Sequence, residues 1–599
     1  MKHAHFLKSY LLLFVLLFVY AGIGRAQDVV ISIDASQGKK KISPLIYGKN
    51  ESLDKAAQFY KDAGLRFARM GGGNNMSAYN WKKKMTVHPD WYNNVYAVDW
   101  DKYAQTVNNN FTDLQAMFAF QLLGRVANST AYNFDDWKYN HSVWWWGVSE
   151  NLAGGGTVNP ENVKDVKALK DGDVTLFSKE WPADSSVAIL NHWFDKDGLA
   201  LDKSKFMYWD MDNEPEIWCG THDWAMPTQI SSTAFLDRFF EYAKKAKAIY
   251  PGIKICGPVA ANEWQWYKYS DEGIRVNGKY YCWLEYFIKR CAEEEKSSGI
   301  RVLDVVDIHS YPSVSNGDAE ALQQHRLYFD TSYEHSASNG LYTINGGYDT
   351  SLKKEYIFKR INDWIDNYYG ANSGIGIGLS EWAPNTTKTN SSATAVVYAS
   401  HLGTFANNGV RTFTPWTWQT GMWETLHLFS RYAKDYSISS ISSVENTVSA
   451  YSSMNSTADS MTVMIVNRDM NASRNVTVNL NNFSVENGNY NTLQLSSLPT
   501  TETFVSHTDN ALKAGTVAVA SNSFHITVPS LSVTAVLLKS VTTGISLASI
   551  KDNQKSISAV YNQLGQRVST DLSTLEKGVY IVLYNNGKGV SRKKVMIQK

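Results

Sequence analysis

Residues 206–215 read FMYWDMDNEP, an apolar stretch that ends in a polar run. Its first part, Phe206–Met211, has the aromatic content of a buried strand. Glu214 and its neighbour Asn213 follow directly, at a place where a carboxylate is poorly solvated and needs a structural or chemical reason. The stretch therefore predicts a buried strand with reactive side chains at its carboxyl end.

Seven further apolar segments alternate with longer helical or loop segments on either side of this stretch. Such alternation is typical of βα units around a parallel sheet. Eight units of this kind predict a (β/α)8 barrel over residues 46–430 in an α/β fold. The eight strand candidates are Leu45–Gly48, Leu65–Met70, Met117–Leu123, Phe206–Met211, Ile253–Gly257, Val305–His309, Ile375–Leu379 and Thr412–Pro415.

Polar and aromatic residues gather where these candidate strands end. Active sites of (β/α)8 barrels lie at the carboxyl ends of the strands. The residues found there fit that rule, and they predict one site at the barrel mouth. They are Arg69 with Gly71–Asn75, Asp212–Pro215, His309–Pro312, Ser380–Trp382 and Trp416–Trp418.

Glu214 and Glu381 are the two carboxylates that these strand ends would bring together. Glycoside hydrolysis needs two such carboxyls, one protonated and one ionised. Arg69 is a candidate cation beside Glu381, and Tyr311 is a candidate hydroxyl donor to it. Asn213 could bind a sugar 2-hydroxyl. Other substrate-binding candidates are Asn74, Trp81, His309, Trp382, Trp416 and Trp418.

Aromatic residues are abundant, with 20 Trp, 34 Tyr and 24 Phe. Pyranose rings pack their C–H faces on flat aromatic side chains. Three consecutive tryptophans, Trp144–Trp146, cannot all face one core, so at least one is expected to be exposed or near the cleft. Because the candidate platforms are spread over several loops, we expect an open groove and cleavage within a chain.

The segments outside the barrel differ in composition. No Trp follows Trp423, and residues 431–540 are rich in Ser, Thr, Asn and Val, as in a β-sandwich. Residues 27–45 contain an isolated strand, Asp28–Ile33, which we expect to join that sandwich. Residues 545–599 also contain strand-like segments around turns, so we expect them to form a third, all-β unit.

Charge and cysteine content exclude some functions. Residues 27–540 carry 46 Lys/Arg and 54 Asp/Glu, a net charge of −8, so we expect no nucleic-acid partner. The sequence contains no HExxH or paired CxxC, which argues against a structural zinc site. The four cysteines predict buried thiols, with a Cys219–Cys256 disulfide as the alternative.

The first 26 residues are typical of a signal peptide. Lys2 and Lys8 precede the apolar run Leu11–Tyr20, and Gly24 and Ala26 supply small residues for cleavage. We therefore expect an exported protein, secreted or on the cell surface, with no transmembrane anchor in its mature form.

Several motifs together resemble glycoside hydrolase family 44. They are Ile42–Gly48, Arg66–Trp81, Asp212–Pro215 with Trp218, Thr221 and His222, Asp307–Pro312 and Ile377–Trp382. The resemblance covers about residues 28–540. It implies a barrel with a β-sandwich and a retaining endo-β-1,4-glucanase or xyloglucanase, with Glu214 as acid/base and Glu381 as nucleophile. Trp382, where the family more often has Tyr, is a departure that affects fine specificity.

The C-terminal pattern resembles another known domain. VYNQLGQRV, LEKGVYIV and KKVMIQK in residues 545–599 resemble the sorting domain of the bacterial type IX secretion route. This implies an interaction with that export machinery.

We therefore expect a monomer that hydrolyses xyloglucan or a cellulose-like β-glucan. The chemistry requires no cofactor, and the ligands of a possible structural calcium are not mapped. The alternatives are a β-mannanase or mixed-specificity hemicellulase, and a non-catalytic glycan-binding surface protein.

Overall fold

The computed structural model describes residues 29–88, 93–134, 151–159, 168–335, 337–541, 557–562, 565–576, 578–585 and 590–597. The predicted signal peptide and Trp144–Trp146 lie outside these ranges. Within them, no helix is both long and apolar enough to cross a membrane.

Eight parallel strands follow one another in the order predicted from the sequence. Strands one and eight approach where the Asn50 N–H donates to Pro415 O at 3.0 Å. The Asn50 side chain also donates to Ser380 O and Thr414 O, each at 2.7 Å. The strands, numbered one to eight, are Gly48–Asn50, Phe67–Arg69, Gln115–Phe120, Tyr208–Met211, Lys254–Ala260, Val305–Ser310, Gly376–Trp382 and Thr412–Phe413.

A helix or helix pair follows each strand, which gives eight βα units. Their apolar faces and the sheet enclose one large core. The helices are Ala57–Ala63, Trp100–Asn110, Ala183–Val187 with Ile189–Phe194, Ser232–Ile249, Trp283–Ser298, Ile357–Tyr369, Ser391–Asn408 and Met422–Tyr432.

The predicted position of strand one is wrong by a few residues. Pro44–Ile46 form a 3-10 turn, and the strand begins only at Gly48. Ser43 caps the turn by accepting the Leu45 N–H at 3.3 Å, and Pro44 occupies its first position. Both residues favour a helical start, so they override the apolar pattern that predicts a strand.

Eight strands after the barrel and two before it form a ten-stranded sheet around a second apolar core. Val29–Asp34 pairs antiparallel with Tyr436–Ser442 and parallel with Arg474–Asn481, so the sheet closes on itself. The N-terminal strand therefore joins the C-terminal strands, while the two-layer sandwich stays a prediction. The other strands are Lys40–Lys41, Val448–Met454, Ser460–Asn467, Gly488–Leu495, Lys513–Ala520, Ser523–Val528 and Ser532–Lys539.

Arg468 joins this sheet to the barrel. Its buried guanidinium donates to Ser400 on a barrel helix at 2.9 Å and to Ser449 and Tyr451 of the sheet at 2.6 and 2.7 Å. A buried charge with several hydrogen-bond partners fixes the relative position of the elements that supply them.

The C-terminal unit is a separate antiparallel sheet with a small apolar core. Its strands are Ile557–Tyr561, Arg567–Val568, Gly578–Asn585 and Val590–Ile597. Its role in sorting stays a prediction.

Three two-stranded antiparallel sheets decorate the barrel. They pair Met85–Val87 with Val95–Ala97, Arg125–Ala127 with Ser178–Glu180, and Arg275–Val276 with Lys279–Tyr280.

All four cysteines are free thiols, so the alternative Cys219–Cys256 disulfide is not formed.

Candidate active site

Glu214 lies just beyond strand four in an unusual backbone conformation. Its φ of 46° and ψ of 55° are left-handed, and it precedes the turn Pro215–Ile217. Its N–H donates to Val259 O, in strand five, at 3.1 Å. A left-handed backbone is uncommon for a residue with a side chain and concentrates at functional sites. This bond to strand five helps to hold the conformation that places the carboxylate at the barrel mouth.

Glu214, His309 and Glu381 converge at this mouth. One side-chain oxygen of each glutamate and one ring nitrogen of His309 all lie within 4.8 Å of one another. His309 Nδ1 is 2.9 Å from Glu214 Oε1 and 3.5 Å from Glu381 Oε2. Burial lowers the pKa of His309, but the charges of the two glutamates outweigh it and raise the pKa. The two carboxyl groups that flank the imidazole therefore favour its charged form.

Glu381, at the end of strand seven, is held in its ionised form. Arg69 Nη1 donates to Oε1 at 2.7 Å, and Tyr311 Oη donates to Oε2 at 2.6 Å. Burial raises the pKa of Glu381, but His309, Arg69 and the Tyr311 hydroxyl together bring it below its usual value. Glu381 thus combines burial with ionisation, the state that a carboxylate nucleophile needs.

Arg69 is itself fixed by further polar groups. Its Nε donates to Asp210 Oδ2 at 2.8 Å, and its Nη2 donates to Asn213 Oδ1 at 2.8 Å. Asn50 accepts a longer bond from Nη1, at 3.3 Å. Burial lowers the pKa of Arg69, but Asp210 and Glu381 outweigh it and raise the pKa, so the guanidinium remains charged. A cation fixed in this way holds the Glu381 carboxylate in place before any ligand arrives.

Asn213 and Asn74 form the wall next to Arg69. Asn213 Nδ2 donates to Asn74 Oδ1 at 2.8 Å, and the Gly73 N–H donates to Asn213 Oδ1 at 3.2 Å. Because the Asn213 side chain is almost fully buried, its clear role in the structure is to position Arg69. Its predicted bond to a sugar hydroxyl stays a prediction.

A groove of about 490 Å³ opens beside Arg69. Asn74, Glu51, Tyr103 and Trp416 are among the residues that line it. The Trp416 ring, which is 47% exposed, lies directly over Gly73. Gly73 has a φ of +82°, and a Cβ there would lie 2.7 Å from the ring, so only glycine fits without displacement. Of the predicted aromatic contacts, Trp416 is the one that the structure places in this groove.

The other predicted aromatic contacts occupy different places. The prediction for Trp382 is wrong: its ring is fully buried and packs on His401 with 4.5 Å between centroids, because its side chain points from strand seven into the helix layer. Trp418 is half-buried against Trp423, also at 4.5 Å. Trp81 is half-buried and donates to Ser185 O at 2.8 Å. Neither Trp418 nor Trp81 lines the groove beside Arg69.

Asp210 escaped prediction, and no role was predicted for Asp212, although the sequence contains a signal for both. Asp210, Asp212 and Glu214 are spaced by two residues, the period of one face of a strand. Asp210 binds Arg69, and Asp212 accepts the Leu122 and Leu123 N–H groups at 2.6 and 2.9 Å. Burial raises the pKa of Asp212 to about 6 although these bonds oppose it.

Glu263, in the loop after strand five, also escaped prediction. It accepts the Tyr311 N–H at 3.0 Å and thereby supports the residue that donates to Glu381. No motif marks a glutamate of this kind, since its function depends on which loops meet.

The Glu214–His309–Glu381 group also has the residue types of a metal site. However, the Arg69 cation lies 2.7 Å from Glu381 and repels a second cation. The donor set therefore fits a pair of reacting carboxyls better than a metal site. The possible calcium site stays unmapped.

Comparison with known proteins finds related sequences and similar folds. Residues 86–314 match the sequence model of glycoside hydrolase family 44. The chain is 22% identical over 493 residues to a β-mannanase/endoglucanase A from Caldicellulosiruptor saccharolyticus, a match that spans 76% of this chain. It is 23% identical over 311 residues, 49% of this chain, to an endoglucanase A from Paenibacillus lautus. The matches span only 35% and 41% of the two relatives.

Solved structures show the same fold. CelM2, a bifunctional glucanase-xylanase from a metagenome library, superposes with a TM-score of 0.69 at 22% identity, over 86% of this chain and 99% of that one. A family 44 xyloglucanase from Paenibacillus polymyxa gives 0.65 at 18% identity, over the same shares. At these identities the likeness concerns the fold. The matched family model adds a sequence resemblance to glycoside hydrolase family 44 over residues 86–314, which supports the prediction of a glycoside hydrolase.

Proposed function

We propose that the protein is a retaining endo-β-1,4-glycosidase that hydrolyses a β-glucan backbone such as that of xyloglucan. One observation carries the proposal: Glu214 and Glu381 face each other with oxygens within 4.8 Å, and Arg69 and Tyr311 bind Glu381. Carboxyl groups about 5–5.5 Å apart are typical of retaining enzymes, whereas inverting enzymes leave room for a water between them.

In the first step, Glu381 attacks the anomeric carbon of the sugar while Glu214 protonates the departing oxygen. A covalent glycosyl–enzyme forms at Glu381, and the leaving chain departs as an alcohol. Arg69 and Tyr311 keep Glu381 ionised and aimed before attack. Their bonds weaken as the negative charge passes into the new ester.

In the second step, Glu214 acts as a base. It takes a proton from water, the water oxygen bonds to the anomeric carbon, and the bond to Glu381 breaks. His309, between the two carboxylates, holds Glu214 in reach of both positions. The product keeps the configuration of the substrate because the carbon is inverted twice.

The substrate class is supported by the groove and by the names of the relatives. Asn74 and Glu51 offer polar partners for hydroxyls, and Trp416 offers a flat face. Relatives and neighbours are described as endoglucanase, glucanase-xylanase and xyloglucanase. A β-mannanase is the second candidate, favoured by the name β-mannanase/endoglucanase A. A non-catalytic glycan-binding protein would not need the matched carboxylate pair.

We also propose export of the enzyme to the cell exterior, with the C-terminal unit as the export signal. The N-terminal 26 residues and the C-terminal motifs support this. Deletion of residues 545–599 should leave the enzyme inside the producing cell while its activity in lysate remains.

The proposed reaction is tested by reducing-end release from xyloglucan, carboxymethyl cellulose and galactomannan. Wild type should cut a β-glucan, and NMR of early product should show the β-anomer. Glu381→Gln and Glu214→Gln should each lose at least about 10³-fold in kcat. An α-anomer as first product, or a Glu381→Gln variant that cuts as well as wild type, would exclude this mechanism. Preference for galactomannan would favour the mannanase instead.

A further inference from the structure

Two tryptophans in the described part of the chain have exposed rings. They are Trp416, 47% exposed, and Trp264, 41% exposed. Every other tryptophan in those ranges is buried or half-buried. A large apolar ring left in water forgoes about 25 cal/mol for each Å² that it could bury, so an exposed Trp at the barrel mouth is a candidate for contact with a sugar face. Trp416 belongs to the groove already described, whereas Trp264 has no role so far.

Trp264 lies on the far side of the mouth from Trp416. It follows strand five, whereas Trp416 follows strand eight and its groove lies beside strands one and two. In a ring of eight strands, strand five is four places from strand one. Glu214 follows strand four and Glu381 lies at the end of strand seven. Strand five lies on one side of the line that joins these two strand ends, and strands eight, one and two lie on the other. The two exposed rings thus flank the catalytic pair.

Trp264 is on the side of the acid/base. The Glu214 N–H donates to Val259 O, in the strand that leads to Trp264. The groove with Trp416, in contrast, is lined by Arg69, which binds the nucleophile. The proton of Glu214 goes to the leaving oxygen, so the departing sugar lies next to Glu214.

The backbone of Trp264 is rigid. Its N–H donates to Asn262 Oδ1 at 3.0 Å, and its carbonyl accepts the Tyr267 and Lys268 N–H groups at 3.2 and 3.1 Å. The loop after strand six packs against it so closely that a Cβ on Gly340 would lie 2.8 Å from Trp264 Cα. A platform held in place before binding loses little entropy when the sugar arrives.

We propose that Trp264 is the stacking platform for the leaving-group sugar, a proposal that rests on the proposed function. The ligand is a β-1,4-linked pyranose whose axial hydrogens give it an apolar face. That face packs on the indole, while the bond to be cleaved lies between Glu214 and Glu381. Trp416 and Trp264 would then hold the chain on both sides of the bond, as internal cleavage requires.

The same platform should serve an acceptor sugar in the second step. An acceptor hydroxyl then replaces water: its oxygen bonds to the anomeric carbon, the bond to Glu381 breaks, and its proton passes to Glu214. The reaction transfers the glycan instead of hydrolysing it. Loss of the platform should therefore lower transfer relative to hydrolysis.

The test compares a substrate that has a leaving-group sugar with one that lacks it. Wild type, Trp264→Ala, Trp264→Phe and Ile441→Ala are assayed on cellohexaose and on cellotriosyl fluoride, whose leaving group is a fluoride ion. Ile441 is 67% exposed in the second sheet and serves as a surface control. Transfer to added cellobiose is measured with the fluoride as donor.

Trp264→Ala should lower kcat/KM on cellohexaose about tenfold, which corresponds to ~1.4 kcal/mol. The loss of kcat/KM on cellotriosyl fluoride should be at least about fivefold smaller, because the group that leaves this substrate is not a sugar. In Trp264→Ala, transfer to cellobiose should fall in parallel with kcat/KM on cellohexaose. Trp264→Phe should recover part of both activities. Ile441→Ala should match wild type in all assays.

Three outcomes would overturn the assignment of Trp264. Equal losses of kcat/KM on both substrates would show that the ring contacts the part of the substrate that becomes bound to Glu381, or that it affects folding. An unchanged kcat/KM on cellohexaose would show that no sugar stacks there. A wild type that cleaves neither substrate would overturn the proposed function itself, and the platform with it.

Discussion

Arg69 and Asp210 form an ion pair that is wholly buried within the barrel, with 2.8 Å between Nε and Oδ2. Glu381 also binds this guanidinium, so the pair fixes the cation that holds the proposed nucleophile. Removal of one partner from a buried pair leaves an uncompensated charge, and this is strongly destabilising.

Asp210→Asn should lower the free energy of unfolding by about 3–5 kcal/mol, as measured by urea denaturation. Because Arg69 loses an anchor, kcat should also fall. Asp363→Asn is the matched control, since Asp363 pairs with Lys359 on an exposed helix surface, and it should change stability by less than about 1 kcal/mol. Similar effects of the two substitutions would contradict this account.

Tyr311→Phe should shift the pH dependence of the enzyme. The hydroxyl donates to Glu381 and contributes to its low pKa, so its removal raises the pKa of the nucleophile. Since Glu381 must be ionised to attack, the acid limb of the kcat/KM profile should move to higher pH. The rate at the optimum should fall about 10²-fold, as for other lost donors. An unmoved acid limb would show that another group controls it.

Gly73→Ala should weaken substrate binding. A Cβ at this position meets the Trp416 ring at 2.7 Å, so the ring must shift, and KM should rise. Gly155→Ala is a matched control because Gly155 also has a positive φ, of 87°, but no atom lies within 4 Å of the added Cβ. Both variants should lose about 1 kcal/mol of stability from the backbone, but the control should keep the wild-type KM. A normal KM for Gly73→Ala would remove Trp416 from the binding site.

Glu216→Gln should reduce the pH dependence of stability. Glu216 is fully buried and accepts the Trp283 Nε1–H at 2.6 Å, and burial raises the pKa of its carboxyl to about 8. A carboxyl with a raised folded pKa binds a proton more tightly when folded, so wild type loses stability as pH rises from about 4.5 to about 8. Because an amide does not titrate, the variant should lose less over that range in thermal unfolding. Parallel curves for the two proteins would contradict the prediction.

The barrel could be predicted because its strands are short apolar segments with polar ends. The same rule predicts Glu214, Glu381, Arg69 and Tyr311, since each lies at or just beyond a strand end, and the structure brings these side chains together. Trp382 follows the same rule but is buried, because consecutive residues of a strand point to opposite sides and periodicity alone did not assign its side.

Contacts between loops could not be predicted in this way. Glu263 reaches Tyr311 only because the loops after strands five and six pack together, and nothing local to either segment encodes that contact. Asp210 differs, since its two-residue spacing from Asp212 and Glu214 was visible. The sequence thus indicates which residues surround the mouth more readily than which of them support one another.

The closed sheet has a consequence for biogenesis. Its strand Val29–Asp34 needs Arg474–Asn481 as a partner, and the paired residues Val29 and Val476 are 447 positions apart. Ribosomes add about 5–20 residues per second, so this apolar strand waits on the order of 20–90 s for its neighbour. Native closure is impossible until nearly the whole polypeptide has been made. Such a delay keeps the chain open to chaperones, and it would allow an unfolded precursor to pass through a translocation channel.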